Sequence, residues 1–322
     1  MKQSLSRREA LKLSGIVLAT AAGGWLNIAK GDTQSPRVLR FAHPTDIHVQ
    51  PELRGAEGMA SALRHMMNLN DPPQMILNGG DLPMDVAATP RERSAMLWKL
   101  FKSILADNVP ADIPVHHAIG NHDIWGRDKE ACGARGDEPI YGKKWFLQEL
   151  GYSSTYYSFD MAGWHFIVLD SFDLDVEGKE YTSRIVGDQL DWLKSDLASN
   201  SLPTVVMTHV PIISAANFFD HSTQIDDQDI LISRTRMHVD FADLSALFRR
   251  HPNVKLCLSG HLHLLDRVEY DGITYICDGA VCGDKWNGPR QQTPEGYGLI
   301  DLYADGTFVH EYVSYGWHAA KA

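Results

Sequence analysis

Residues 115–123 read VHHAIGNHD, an apolar run that empties into a polar loop carrying Asn121, His122 and Asp123. The same plan recurs in RVLRFAHPTDIH (37–48), QMILNGGD (74–81), WHFIVLDS (164–171), TVVMTHVP (204–211) and VKLCLSGHLH (254–263). Short, nearly continuous apolar runs of this kind are the pattern of strands covered on both faces. Between them the period becomes helical. Met96, Leu97, Leu100, Phe101, Ile104 and Leu105 form one stripe within residues 90–106, where Thr89 is expected to cap, Pro90 to open the helix and Glu92 to complete a capping box. Gly55–Met67, Gln189–Leu197 and Phe241–Phe248 are three further amphipathic helices. After Leu265 only alternating patterns remain, RVEYDGITYIC (267–277) and YGLIDLYADGTFVHEYV (297–313), each with an Asp-Gly turn. No linker or repeat interrupts residues 37–316, which predicts one α/β domain closed by a C-terminal β-rich portion.

The chain has 322 residues, 44% of them hydrophobic and 22% charged, enough to bury a substantial core and too apolar for a disordered or fibrous protein. Its formal net charge is −11. The first 30 residues carry Lys2, Arg7, Arg8, Lys12 and Lys30 against Glu9, a local +4, so the remainder carries −15. A body that acidic repels nucleic-acid backbones, and no nucleic-acid partner is expected. Four cysteines do not make a disulfide scaffold in a chain of this size. Cys257 sits in an apolar run and reads as a small buried hydrophobe, whereas Cys277 and Cys282 are close enough in sequence to bridge.

Residues 1–30 read as a leader. A basic start precedes an apolar stretch from about Leu13 to Ala29 that is short, interrupted by glycines and unlike a membrane span. Ser6-Arg7-Arg8-Glu9-Ala10-Leu11-Lys12 resembles the twin-arginine export motif. That resemblance implies a twin-arginine signal peptide over 1–30, contact with the twin-arginine export machinery and a periplasmic or otherwise exported protein. The mature chain is expected to have no stable membrane span, with its domain over residues 36–318.

Five strand-end loops carry metal-type ligands: Asp46-Ile47-His48, Gly80-Asp81, Gly120-Asn121-His122-Asp123, Thr208-His209 and Gly260-His261-Leu262-His263. Loops at the carboxyl ends of strands are where α/β folds gather their chemistry, so these segments are expected to converge on one cleft. Three carboxylate or amide oxygens and four imidazoles, with no thiolate, suit divalent or trivalent Mn, Fe, Zn or Co. One ion cannot use seven residues, whereas two ions sharing a carboxylate can, which is the two-metal arrangement for hydrolysis.

In this order the blocks D-x-H, GD, GNHD, H and GHxH resemble the calcineurin-like metallophosphoesterases, and they span 218 residues from Asp46 to His263. The resemblance implies a β-sandwich of two mixed sheets flanked by helices, in a single domain. It places one metal on Asp46, His48, Asp81 and His263, and the other on Asp81 as bridge, Asn121, His209 and His261. It makes His122 the proton donor to the leaving oxygen, or a contact to the phosphate, with a metal-bridging hydroxide as nucleophile; Asp123 either orients the imidazole or caps the strand end. The loop Asp81-Leu82-Pro83-Met84-Asp85 has no tyrosine, unlike the purple acid phosphatases. GNHD with Trp125, and the GHLH ending, look more like the bacterial branch of cyclic-nucleotide and glycerophosphodiester phosphodiesterases.

The expected function is an exported two-metal phosphodiesterase acting on a small diester. A phosphomonoesterase or nucleotidase, and a metal-binding scaffold without turnover, are the alternatives; the sequence sets no oligomeric state. The segment Trp125–Tyr141 is expected to overhang the metals; Trp125 and Trp286 either offer flat apolar surface to the organic arm or pack as ordinary loop residues, and Arg127 either clamps phosphate or packs likewise. The segment's charged side chains sum to −1, from Arg127, Lys129 and Arg135 against Asp128, Glu130, Asp137 and Glu138, which favours a singly charged ester. His43 reads as a supporting residue, and His116, His117, His165, His221, His238 and His251 carry no motif.

Overall fold

The computed structural model describes residues 35–175, 178–221, 223–225 and 228–319. The predicted leader lies outside them. The chain runs β1 (Arg37–His43), α1 (Gly55–Met67), β2 (Met75–Asn78), α2 (Arg91–Asn108) and β3 (Val115–His117). Two short helices follow, α3 (Lys129–Cys132) and α4 (Lys144–Leu150), then β4 (Tyr157–Met161), β5 (Trp164–Val168), β6 (Phe172–Leu174) and β7 (Tyr181–Ser183). Next come α5 (Gly187–Ser199), β8 (Thr204–Met207), β9 (Gln224–Ile225), β10 (Ile230–Leu231) and α6 (Phe241–Arg249). The chain closes with β11 (Val254–Ser259), β12 (Asp266–Tyr270), β13 (Ile273–Cys277), β14 (Gly296–Tyr303) and β15 (Phe308–Ser314).

Two mixed sheets form the centre, one ordered β15-β14-β1-β2-β3 and the other β12-β13-β11-β8-β5-β4. Of the strands predicted to be covered on both faces, β1 and β2 lie inside the first sheet and β5, β8 and β11 inside the second, each with a parallel neighbour, whereas β3 is the first sheet's edge strand and only partly buried. Leu39, Phe41, Leu77, Phe166, Val205 and Leu256 meet between the sheets. Helices α1 and α2 cover the outer face of the first sheet through Met59, Leu63, Trp98 and Phe101. Helices α5 and α6 cover the second through Leu193, Leu197, Leu244 and Phe248. The fold is therefore the single-domain sandwich of two mixed sheets flanked by helices that the sequence implied.

Two local readings need correction. The C-terminal strands are not a closing portion: β14 pairs with β1 inside the first sheet and β13 with β11 inside the second. Helix α2 starts at Arg91 with Pro90 extended (ψ 150°) and no side-chain cap, so the predicted capping box does not form. With Pro90 at the cap, Glu92 is the second helical residue rather than the third, where it cannot close the box, and Thr89 contributes its carbonyl instead, accepting from Ser94 Oγ at 3.0 Å. On the stripe itself, Met96 is exposed and Trp98 is buried in its place.

Candidate metal centre

Every predicted ligand lies beyond the carboxyl end of a parallel strand, so the sheet topology alone brings them to one end of the sandwich. The loops are pinned to each other by backbone bonds that continue the strand pairing. Asp46 N donates to Gly80 O at 3.0 Å and His48 N to Asp81 O at 2.9 Å, and Gly260 N donates to His209 O at 3.0 Å. Asp46, His48, Asp81, His261 and His263 all have positive φ, between 45° and 70°. Non-glycine residues hold that conformation only where surroundings over-determine it, and such strain clusters at functional sites. Close approach also demands glycine. A Cβ on Gly120 would lie 2.1 Å from Asp81 Oδ1, and one on Gly260 would lie 2.3 Å from Asp46 Oδ2.

The side chains meet in two imidazole pairs with a carboxylate between them. His48 Nε2 lies 3.2 Å from His263 Nε2, and His209 Nε2 lies 3.3 Å from His261 Nδ1. Asp81 Oδ2 is 3.5 Å from His48 Nε2 and 3.3 Å from His209 Nε2, the position a shared ligand requires. Asp46 Oδ1 lies 3.3 Å from His263 Nε2 and 3.9 Å from His209 Nε2. Asn121 joins them on the wall of one cleft of about 330 Å³, with His122 beside it.

The donor set fits cations. His48, His209 and His263 each donate Nδ1–H to a backbone carbonyl, of Met84, Gly79 and Gly283, which turns the Nε2 lone pairs inward. Facing lone pairs repel unless a proton or a cation lies between them. Asn121 Oδ1 and Asp46 Oδ1 are buried with no hydrogen-bond partner. Burial drives His48 and His261 down to about 3, so both rings are neutral at pH 7. Burial opposes ionisation of Asp46 and Asp81, but the facing histidines hold both well below the usual carboxylate range. The same contacts push His209 up, to about 9, against its own burial. All seven predicted ligand residues thus lie at one end of the sandwich, with His48 beside His263 and His209 beside His261.

Asp123 is not the residue that orients the imidazole. Its carboxylate accepts from the backbone N–H groups of Gly120, Asp81 and Leu82, at 2.8, 3.0 and 2.9 Å. It clamps the two loops and does not reach the His122 ring. Burial, with Asp81 nearby, pushes its carboxyl up to about 8, even though the three donors favour the ionised form. The carboxylate beside His122 is Asp85, whose Oδ1 is 3.2 Å from Nδ1. Burial opposes it, yet His122 and two backbone N–H groups hold Asp85 below the usual carboxylate range. The sequence signal for it was its place four residues after Asp81 in the same loop.

The tryptophans take the packing role. Trp125 is buried edge-on against Trp145, and Trp286 is buried against Trp317. Neither lines the cleft. Trp286 instead donates Nε1–H to His48 O at 2.8 Å and lies so close to α1 that a Cβ on Gly58 would come within 2.1 Å of its ring. The segment Trp125–Tyr141 contributes no residue to the cleft wall. What the sequence missed there is cationic: Arg236, Lys285 and Arg290, with Asp284 beside them. His43 is buried off the cleft wall, its Nδ1 2.7 Å from the buried Asp278. All four cysteines are free, so Cys277 and Cys282 do not bridge. Cys282 Sγ lies 3.9 Å from His263 Nδ1, and burial raises its thiol pKa.

Residues 39–265 match a family model described as calcineurin-like phosphoesterase. A 3′,5′-cyclic-nucleotide phosphodiesterase of Nostoc sp. is 28% identical over 84% of this chain and 90% of its own. A Synechococcus sp. protein named "Probable cyclic nucleotide phosphodiesterase" is 28% identical over the same shares, 84% and 90%. Among solved structures, a dimetal phosphatase from Danio rerio shares the fold with a TM-score of 0.58 at 18% identity, over 87% of this chain and 97% of that one.

Proposed function

The chain belongs to the calcineurin-like phosphoesterase family and is a metal-dependent phosphoesterase, and from that premise we propose that it hydrolyses a small phosphodiester at a dinuclear centre. The observation that carries the reading is the pair of facing imidazole couples with Asp81 between them. In this reading Asp46, His48, Asp81 and His263 hold one ion, and Asp81, Asn121, His209 and His261 the other. When bound, two such ions supply Lewis acidity toward phosphoryl oxygens and water acidified to near-neutral pKa. The chain's own residues do the rest. Backbone carbonyls at Nδ1 fix three imidazole tautomers, and the backbone N–H of His122 donates to Asp81 Oδ1 at 2.8 Å, aiming Oδ2 between the histidine pairs. Asp85 lies beside the His122 ring, its Oδ1 3.2 Å from Nδ1, and the Nε2–H of that ring is the proton donor to the leaving oxygen.

The diester reading draws on the names of the two cyanobacterial relatives. A cyclic nucleotide is accordingly the first candidate, and a glycerophosphodiester the next. The charge of segment 125–141 no longer supports it, because that segment is off the cleft wall. The cationic lining by Arg236, Lys285 and Arg290 favours a second reading, a phosphomonoesterase or nucleotidase, since a dianion gains more from fixed positive charge. Measuring kcat/KM for a diester and a monoester of the same alcohol, with the same metal, decides between them. The expected result is diester preference. A monoester preference of tenfold or more, about 1.4 kcal/mol in transition-state binding, overturns it.

We also propose that residues 1–30 are a twin-arginine signal and that the domain over 36–318 acts outside the cytoplasm. Among the described residues no helix is long and apolar enough to cross a membrane. A folded chain would choose its metal before export, away from competing ions higher in the Irving–Williams order. Arg7→Lys with Arg8→Lys is expected to hold the protein in the cytoplasm; normal export of that variant contradicts the leader reading.

A further inference from the structure

The wall of the cleft facing the ligands is built by residues that no motif contains. Asp220 follows a short 3₁₀ turn at Ala216–Phe218, and its side chain is fully buried (0% exposed). Its Oδ2 receives Arg236 Nη2 at 2.5 Å and lies 3.6 Å from Arg290 Nη2. Arg290 also contacts Asp284 Oδ1 at 3.3 Å, and its backbone is locked by two bonds to Thr293, of 3.0 and 2.9 Å. Arg236 and Arg290 both line the cleft that His48, Asp81, Asn121, His122, His261 and His263 line.

A buried carboxylate between two guanidinium groups costs desolvation that one hydrophobic residue would avoid, so charge here has a use beyond packing. Asp220 holds both forks in place, which lowers the entropy lost when they grip an anion. Arg236 Nε is buried and makes no hydrogen bond with the protein. Among the described residues, three cations (Arg236, Lys285, Arg290) stand with two carboxylates (Asp220, Asp284) on a wall that meets the ligand cluster.

We propose that Arg236 and Arg290, positioned by Asp220, form an anion-gripping wall that holds substrate phosphoryl oxygens and sets the preference between doubly and singly charged phosphoesters. This deepens the phosphoesterase reading above and rests on it. The wall favours the dianion, since charge-assisted, forked hydrogen bonds strengthen with the charge on the oxygens they hold. The chemistry at the ligand cluster thus accepts both ester types, and the wall tilts the ratio.

The test compares the metal-reconstituted enzyme with Arg236→Met, Arg290→Met and Asp220→Asn, using 4-nitrophenyl phosphate and bis(4-nitrophenyl) phosphate, which share a leaving group. Each arginine substitution is expected to lower the monoester-to-diester ratio of kcat/KM at least tenfold. Orthophosphate binding, read by calorimetry on the same proteins, is expected to weaken at least tenfold. Asp220→Asn should move both readouts the same way, and Arg236→Lys, which keeps the charge and loses the fork, should restore part of the ratio. Folded variants with an unmoved ratio and unmoved phosphate affinity overturn the wall. If the wild type cleaves neither ester while phosphate affinity still falls in the arginine variants, the wall stands and the phosphoesterase reading falls.

Discussion

Asp81→Ala is expected to lower kcat/KM by at least about 10³-fold, roughly 4 kcal/mol of transition-state stabilisation, for any ester the protein cleaves. The reason is position. Asp81 Oδ2 sits 3.5 Å from His48 Nε2 and 3.3 Å from His209 Nε2, so one carboxylate serves both imidazole pairs. No other carboxylate oxygen lies this evenly between the pairs among the described residues; Asp46 Oδ1 is nearer His263 than His209. Removing Asp81 therefore takes a ligand from each proposed ion. Asp46→Ala should retain more of the ion held through Asn121, His209 and His261. Equal behaviour of the two variants in residual metal content would contradict the bridging assignment.

His122→Ala should behave differently: near-normal metal content with kcat lowered by about 10²–10⁴-fold, the range for a general acid. Its ring lies on the cleft wall with Nδ1 3.2 Å from Asp85 Oδ1, whereas its backbone N–H serves Asp81. The loss should be small for nitrophenyl esters, whose leaving groups need little protonation, and large for alkyl esters. The ratio of the two losses is the measurement. Equal losses would favour contact with the phosphate over proton donation.

The contrast between what the sequence showed and what it hid follows from how each signal is encoded. The inner strands were legible because burial on both faces writes a continuous apolar run, as in Val205–Met207 and Leu256–Leu258. The seven ligands were legible because each follows such a run, and strand topology does the rest of the assembly. The role of Asp123 was not legible. Its partners are backbone N–H groups of two different loops, and a backbone donor leaves no mark in sequence. Trp125 and Trp286 stayed open between cleft and core for a related reason: a loop tryptophan gives no periodicity to say which it faces. The cationic wall was hidden most completely. Asp220, Arg236 and Arg290 come from irregular segments 16 and 70 residues from Asp220, and only the folded chain joins them. Chance Asp and Arg residues in loops look the same on the page.

The strained backbone at the site is the other feature beyond reach of sequence patterns. Five of the seven ligand residues have positive φ, although Asp and His enter that region far less readily than glycine. The cost is of order 1–3 kcal/mol for each. It is met by the loop-to-loop backbone bonds, such as Asp46 N to Gly80 O and His48 N to Asp81 O, that continue beyond the strands. Stability is thereby spent on holding ligand atoms ready rather than on packing.

If these loops hold two ions, metal stoichiometry reveals it without any assay of turnover. Purified protein reconstituted with Mn or Fe, freed of excess ion and measured by elemental analysis, is predicted to carry two ions per chain. One ion per chain, or none, would contradict the account.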